Sequence, residues 1–226
     1  FIAMRYWNPL TAEAVSEVTK WNAPDLVLLP MYPQYSFATT SSSLKEWKRL
    51  YHPNGNVPRT HVIEHFFDHP LYVQSVVENI ALSLTHFDDP DRAHIVFSAH
   101  GLPLSLIERG DPYAKQVEET VGLVMQRGGW KNAHTLCYQS KVGRRKWLSA
   151  SLNETIDRLA RSGEKKLLIV PIAFVTEHIE TLHEINIEAR EMAHALGVKQ
   201  FEMMPAVGDS PTFISALADL VLKAIA

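Results

Sequence analysis

The sequence predicts an α/β fold with parallel sheets flanked by helices, and three observations support this. Apolar runs of strand length alternate along the chain with segments of helical periodicity. The strand-length runs are almost continuously apolar, which is typical of strands covered by helices on both faces. The composition is 46% hydrophobic and 21% charged over 226 residues, so the chain can form one large or two small domains with buried cores.

Each element follows from a local pattern. Strands are expected at residues 25–29, 60–64, 94–98, 134–138 and 167–175. Helices are expected at residues 11–21, 44–51, 71–87, 113–127, 152–161 and 178–196. Ser151 and Glu154 have the capping-box spacing that begins a helix, and Gly163 and Gly197 stand where helices end. Ligands in such folds bind beyond the carboxyl ends of the strands, so functional residues are expected there.

The charge of the chain argues against some partners. A formal net charge of −3 provides no strong field to attract nucleic acid or an anionic membrane. The longest basic cluster is short and is interpreted first as a solvated loop and second as an anion site; it comprises Lys141, Arg144, Arg145 and Lys146. No run approaches the roughly 20 apolar residues that cross a bilayer. Peripheral membrane contact is the most that we expect.

The single cysteine, Cys137, limits the kinds of site that this chain can hold. One cysteine excludes an intrachain disulfide and any cysteine-rich zinc or iron–sulfur site within the chain. Because Cys137 stands in an apolar run, we expect a buried, inert thiol. These features together predict a cytoplasmic protein.

The first candidate for chemistry is His100, which directly follows a predicted buried strand. It stands at the start of a loop shaped by Gly101 and Pro103. An imidazole in that position can act as a general base or a metal ligand near neutral pH. The alternative is a structural histidine that is hydrogen-bonded to the backbone.

The second candidate is an acidic row of Glu180, Glu184 and Glu188. Residues four apart lie on one face of a helix, where like charges repel unless a cation or protons lie against them. The row begins at the carboxyl end of a predicted strand, which favours a functional role. The alternative is a solvated acidic face.

The third candidate is the proline-broken loop of residues 29–40, which carries Met31, Tyr32, Tyr35 and Phe37. These side chains could line a flat apolar pocket or pack between two domains. Other classes of enzyme lack support, since His183 and Glu184 do not begin a His-Glu-x-x-His motif. The sequence also contains no Gly-x-Ser-x-Gly elbow, no P-loop and no Gly-x-Gly-x-x-Gly after a strand.

Several of these segments resemble the motifs of the ferrochelatase family, in its bacterial type. Ser-Ala-His-Gly-Leu-Pro at 98–103 with Arg-Gly-Asp-Pro-Tyr at 109–113 resembles the first family motif, and Glu-His-Ile-Glu-Thr-Leu-His-Glu-Ile at 177–185 resembles the second. Shorter matches cover Arg5 with Tyr6 and residues 32–36, 138–143, 209–213 and 217–221. The resemblance extends over nearly the whole chain.

The resemblance implies two similar lobes, each a parallel sheet flanked by helices, of the class II chelatase type. Residues 1–34 would be the remnant of a first lobe, with residues 207–226 packing back on it, and residues 35–206 would form the second. About 80–100 N-terminal residues of the family have no counterpart here, so we expect an N-terminally truncated chain with an incomplete first lobe. The iron–sulfur cluster of animal members is not expected, because the chain lacks its cysteine-rich tail and has Phe37 at its internal cysteine position.

The activity implied is the insertion of Fe²⁺ into protoporphyrin IX to form protohaem, with release of two protons, in the last step of haem biosynthesis. His100, Glu180 and Glu184 would be catalytic, and His100 and Glu180 would contact the metal. Glu184 and Glu188 would continue a path for protons or cations. Arg5, Tyr6, Tyr35 and Phe37 would bind the porphyrin, Arg5 through a propionate. The alternatives are a chelatase for another tetrapyrrole or metal, such as coproporphyrin or cobalt, and an inactive fragment or binding module.

Overall fold

The computed structural model describes residues 1–21, 23–52, 57–140, 143 and 146–226. These residues form two compact units, one of residues 1–66 with 217–226 and the other of residues 67–216. Residues 35–66 therefore group with the first unit, whereas the resemblance assigns them to a lobe of residues 35–206. The lobe boundaries implied by the resemblance stay a prediction, because compactness alone does not define a lobe.

The first unit contains two helices and a two-stranded parallel sheet. Its elements in chain order are α1 (Thr11–Trp21), β1 (Asp25–Leu28), α2 (Thr40–Leu50) and β2 (Arg59–Val62). β1 pairs with β2 in parallel. Ala14 and Val18 of α1 pack with Trp47 of α2 in a small core, because each helix places apolar residues on one face.

The second unit contains the larger sheet. Its strands are β3 (His94–His100), β4 (His134–Gln139), β5 (Lys166–Pro171) and β6 (Gln200–Met203). Its helices are α3 (Pro70–Leu84), α4 (Leu104–Ile107), α5 (Tyr113–Gly128), α6 (Leu152–Arg161), α7 (Ile179–Leu182) and α8 (Arg190–Ala195), with a 3₁₀ turn at Pro90–Arg92 and a π-helical segment at Glu184–Ala189. The division between the two units falls within α9 (Pro211–Ile225).

The larger sheet is entirely parallel, in the order β4-β3-β5-β6. Val96, Ile169 and Cys137 lie on one face and pack in a core with residues of α6, the π-helical segment and α8. Side chains alternate between the faces of a strand, so Phe97 and Leu168, both fully buried, point to the other face, where α3 contacts β5. The predicted α/β class with a parallel sheet flanked by helices is confirmed.

Local sequence signals account for several boundaries. Ser151 Oγ accepts a hydrogen bond from the Glu154 backbone N–H at 3.2 Å, and Glu154 Oε2 accepts one from the Ser151 N–H at 2.7 Å, so the predicted capping box is confirmed. Gly163 and Gly197 have φ values of 97° and 86°, the left-handed conformation that ends helices.

Two expectations about elements were wrong, and one strand had no expectation. The strand expected at residues 167–175 ends at Pro171. Ile172 and Val175 extend the apolar run because they are buried in the turn that follows the strand. The helix expected at residues 178–196 is interrupted by the π-helical segment. The short strand β6 was not expected, since its alternation of polar and apolar residues covers only four positions.

Candidate active site

His100 is the last residue of β3, which lies between β4 and β5 in the sheet of the second unit. Its backbone carbonyl accepts a hydrogen bond from Tyr113 Oη at 3.0 Å. Its ring lies edge-on to Phe174, with 6.4 Å between the ring centroids. The side chain is half-buried at the carboxyl end of the sheet, where a parallel α/β fold places its ligands.

The residues after His100 keep the loop close to the neighbouring strand. The Gly101 N–H donates to the Gln139 carbonyl at 2.8 Å, and a Cβ at position 101 would lie 2.9 Å from that oxygen. Glycine is therefore required by the close approach of the two backbones. The buried carboxylate of Asp111 accepts from the Tyr113 N–H at 3.0 Å, which fixes the start of α5 and thus the tyrosine that holds His100.

Glu180 and Glu184 both act electrostatically on His100. Glu180 lies in α7, and Glu184 is the first residue of the π-helical segment. Burial lowers the pKa of His100, and the two carboxylates oppose that effect only in part, because burial is the largest contribution. The imidazole is therefore biased toward its neutral form, which can accept a proton or bind a metal.

Glu184 is held by the residue that follows β4. Ser140 Oγ donates to Glu184 Oε2 at 2.6 Å. Ser140 has a φ of 61°, a left-handed conformation that is uncommon for a residue other than glycine. Such backbone conformations are often found at functional sites, and here the conformation accompanies a hydrogen bond to an acidic side chain of the site.

The placement of the acidic row on one helix face stays a prediction, because a π-helical segment begins at Glu184. The π-helical segment interrupts the α-helical spacing of four residues, and the Glu188 N–H bonds to the His183 carbonyl, five positions earlier. The Glu188 carboxylate lies 3.5 Å from His183 Nδ1, and its side chain is 62% exposed. Glu180 and Glu184 thus act on the charge of His100, and Glu188 pairs with His183.

The residues expected to bind porphyrin all belong to the first unit. Arg5 Nε donates to Ser42 Oγ at 3.2 Å, and Tyr6 Oη lies 3.4 Å from the same oxygen. The Arg5 guanidinium lies 4.9 Å from the centroid of the Tyr6 ring. Tyr35 and Phe37 form an edge-to-face pair with 6.2 Å between ring centroids. Arg5 and Tyr6 therefore form one cluster, and Tyr35 and Phe37 form an aromatic pair.

Some residues of the site were matched to a motif in the sequence but had no assigned role. Tyr113, Gln139 and Ser140 belong to this group, and the signal available for the last two was their polarity at the end of an apolar strand. The neighbouring Lys141 and Val142, and the basic residues Arg144 and Arg145, lie outside the described residues.

Two further observations concern metals and membranes. Among the described residues, no three or more His, Cys, Asp or Glu side chains lie close enough together to hold a metal ion. In the same part of the chain, no helix has the length and apolar character that a membrane span requires.

Comparisons with known proteins agree with the motifs. A family model described as Ferrochelatase matches residues 1–225. A ferrochelatase of Citrifermentans bemidjiense is 45% identical over 224 residues, covering 99% of this chain and 70% of the relative. A ferrochelatase of Trichodesmium erythraeum is 44% identical over 228 residues, covering all of this chain and 59% of the relative. The chain thus spans roughly three fifths to seven tenths of the length of these relatives.

Solved structures show the same fold. SirB from Bacillus subtilis, solved with Fe³⁺, superposes with a TM-score of 0.67 at 15% identity, covering 96% of this chain and 78% of that one. CbiX, described as the terminal enzyme of sirohaem biosynthesis in denitrifying bacteria, superposes with a TM-score of 0.59 at 14% identity, covering 92% and 79%. Because the family model matches residues 1–225 and the two relatives are 45% and 44% identical, this chain belongs to the ferrochelatase family.

Proposed function

We propose that the enzyme of which this chain is part inserts Fe²⁺ into protoporphyrin IX to form protohaem, a lyase reaction that ends haem biosynthesis in the cytoplasm. The observation that carries the proposal is the placement of His100 at the carboxyl end of β3, with Glu180 and Glu184 near enough to act on its charge. Membership of the ferrochelatase family supports the choice of metal and porphyrin.

Metal insertion requires that two pyrrole N–H protons leave the porphyrin and that a cation reach the ring with few of its waters. The neutral imidazole of His100 can accept a proton from a pyrrole nitrogen or bind the incoming ion. The carboxylates of Glu180 and Glu184 favour positive charge beside it, whether that charge is a proton or a metal ion. Imidazole and carboxylate are both suitable ligands for Fe²⁺.

The porphyrin would be held by residues of the first unit. Arg5 offers a guanidinium to a propionate, a strong charge-assisted contact. Tyr6, Tyr35 and Phe37 offer aromatic surface to the macrocycle. Binding that distorts the flat ring would expose its nitrogens to the metal. The one cysteine of this chain cannot by itself supply the ligands of an iron–sulfur cluster.

A chelatase for another tetrapyrrole or metal is the second candidate. Imidazole and carboxylate also accept Co²⁺ and Zn²⁺, and the superposed CbiX is described as an enzyme of sirohaem biosynthesis. Fold alone does not determine the substrate, so the assay must compare metals and porphyrins directly.

The decisive experiment is an anaerobic metallation assay with Fe²⁺, Co²⁺ and Zn²⁺ and with protoporphyrin IX and coproporphyrin. We expect Fe²⁺ with protoporphyrin IX to give the highest kcat/KM. His100→Ala should abolish insertion while the circular dichroism spectrum stays unchanged, because the half-buried ring contributes little to the core. His86→Ala, at an exposed position, is the matched control. Near-normal turnover by a folded His100→Ala protein would show that the assignment is wrong.

A further inference from the structure

The side chain of Gln139 links the strand that carries His100 to the helix that carries Glu180. Gln139 is the last residue of β4 and is 3% exposed. Its amide oxygen accepts a hydrogen bond from Ser98 Oγ at 2.7 Å. Its amide nitrogen donates to the main-chain carbonyl of Glu180 at 2.8 Å. Both ends of one buried carboxamide are therefore paired.

The strand register explains why this link reaches the site. Gln139 is the β-partner of His100 in the parallel pair of β3 and β4, so the two side chains project from the same face of the sheet. Ser98 lies two residues before His100 and shares that face. The carboxamide thus fills the space between the end of β3 and the first turn of α7.

Burial makes the link selective for glutamine. A buried amide without partners is costly, whereas a paired one contributes to stability and defines one geometry. The hydroxyl of Ser98 is donated to the amide oxygen, which leaves the amide nitrogen to face Glu180. Among side chains of this length that do not ionise, only glutamine accepts from a hydroxyl at one atom and donates to a carbonyl at the other.

We propose that Gln139 is a positioning residue that holds the backbone of Glu180 beside His100, so that the carboxylate and the imidazole act on the same ion or proton. The inference rests on the proposed function and names a residue that supports it without touching substrate. α7 is only four residues long and runs through a turn into the π-helical segment. A tie at its first turn therefore limits how far Glu180 can move.

The test compares Gln139→Met with a matched control, Asn132→Leu. Methionine keeps the length and apolar bulk of glutamine and loses both hydrogen bonds. Asn132 is another buried carboxamide that donates to main-chain carbonyls, those of Pro90 and Ala93, each at 2.8 Å. It lies beside the start of β3, at the opposite end of the sheet from His100, so its loss removes a similar interaction away from the site.

We expect Gln139→Met to lower kcat for Fe²⁺ insertion by about 10- to 100-fold, with KM for the porphyrin changed by less than about twofold. Asn132→Leu should keep kcat within about twofold of the unvaried chain, even where its thermal midpoint falls equally. Amide hydrogen exchange should increase at residues 178–185 in Gln139→Met and not in Asn132→Leu. Equal kcat values for the two folded variants would overturn the proposal.

A second variant and a second measurement separate failure of this proposal from failure of folding or of the proposed function. If Gln139→Met does not fold, Ser98→Ala decides, because it removes one anchor of the amide and should lower kcat in the same direction by a smaller factor; an unchanged kcat contradicts the proposal. If the complete enzyme without the substitution inserts no metal, the proposed function fails, and amide exchange alone tests the hydrogen-bonded link. Unchanged exchange at residues 178–185 would then overturn it.

Discussion

The charge of the His100 imidazole depends on two opposing effects of its surroundings. Burial disfavours the imidazolium form and lowers its pKa, whereas Glu180 and Glu184 favour that form. Because burial dominates, the imidazole is mostly neutral near pH 7 and can accept positive charge that the carboxylates then stabilise. A base that is neutral at rest and supported when charged suits a reaction that releases two protons.

The three glutamates should therefore differ in their contribution to turnover. We expect Glu180→Gln and Glu184→Gln to lower kcat by roughly 100-fold, because each removes a negative charge beside His100. Glu188→Gln should change kcat by less than about threefold, since this exposed side chain pairs with His183. Steady-state kinetics on all three variants, each checked for an unchanged melting temperature, measures this order. A loss in Glu188→Gln as large as in Glu180→Gln would contradict it.

Single residues also show what the sequence could reveal about the site. The position of His100 at the carboxyl end of a sheet strand was predictable, because a residue at the end of a buried apolar run lies where parallel sheets bind ligands. The partners of Gln139 were not, since they depend on the register of β3 with β4. Neither was the pairing of Glu188 with His183, which follows from the π-helical segment.

Among the elements, α6 has the sharpest boundary, and its start can be tested alone. Ser151→Ala removes the side-chain acceptor of the capping box and should lower the free energy of unfolding by about 1 kcal/mol. Chemical denaturation of the two proteins at one pH gives the difference. Ser162→Ala, just past the end of the same helix, is the control and should cost less. Equal losses would mean that the cap contributes nothing specific.

The π-helical segment is held by a contact that no local pattern reveals. Arg190, at the start of α8, donates from Nη2 to Asn186 Oδ1 at 2.7 Å and from Nε to the Asn186 carbonyl at 3.2 Å. Its guanidinium also donates to the Phe201 carbonyl on β6 and lies 5.0 Å from the centroid of the Phe201 ring. Residues 178–196 have helical periodicity in the sequence, and the change of hydrogen-bonding pattern depends on packing against β6.

For the whole molecule, buried histidines couple folding to pH. His94, at the start of β3, is 7% exposed and bonds through Nε2 to Thr135 Oγ1 at 2.9 Å. Burial lowers its pKa below the ordinary value of about 6.5, with Glu164 opposing and Arg158 and His134 adding to the effect. Glu164 lies 3.9 Å from Nδ1, beyond hydrogen-bonding distance, which explains why it offsets burial only in part.

The sign of the pH dependence follows from the protons bound in each state. Below about pH 6.5 the unfolded chain binds a proton at His94 that the folded chain resists, so the free energy of unfolding decreases as the pH falls. We expect His94→Gln to flatten this decrease between pH 7 and 5, while His100 leaves a residual slope of the same sign. Denaturant titrations at several pH values measure the profiles, with His86→Gln as the exposed control. An identical slope in His94→Gln and the unvaried chain would contradict the assignment.

The sequence predicted the class of the fold better than its topology. Continuous apolar runs indicated covered parallel strands. In the sheet β4-β3-β5-β6 each strand pairs in parallel with its neighbours, which confirms this prediction. The order itself depends on which strands meet across long separations, which no local period encodes. The short edge strand β6 was not predicted, because its extended conformation depends on pairing with β5 and not on a local sequence pattern.

Chemical labelling of Cys137 can report when the larger sheet opens. The side chain is fully buried on β4, and burial raises its pKa to about 12, so the reactive thiolate form is disfavoured. A thiol-directed reagent can modify the native protein only when β4 separates from its neighbours. Because the sequence has one cysteine, the rate of thiol modification measures how often β4 separates from its neighbours. No cysteine has to be introduced for this measurement.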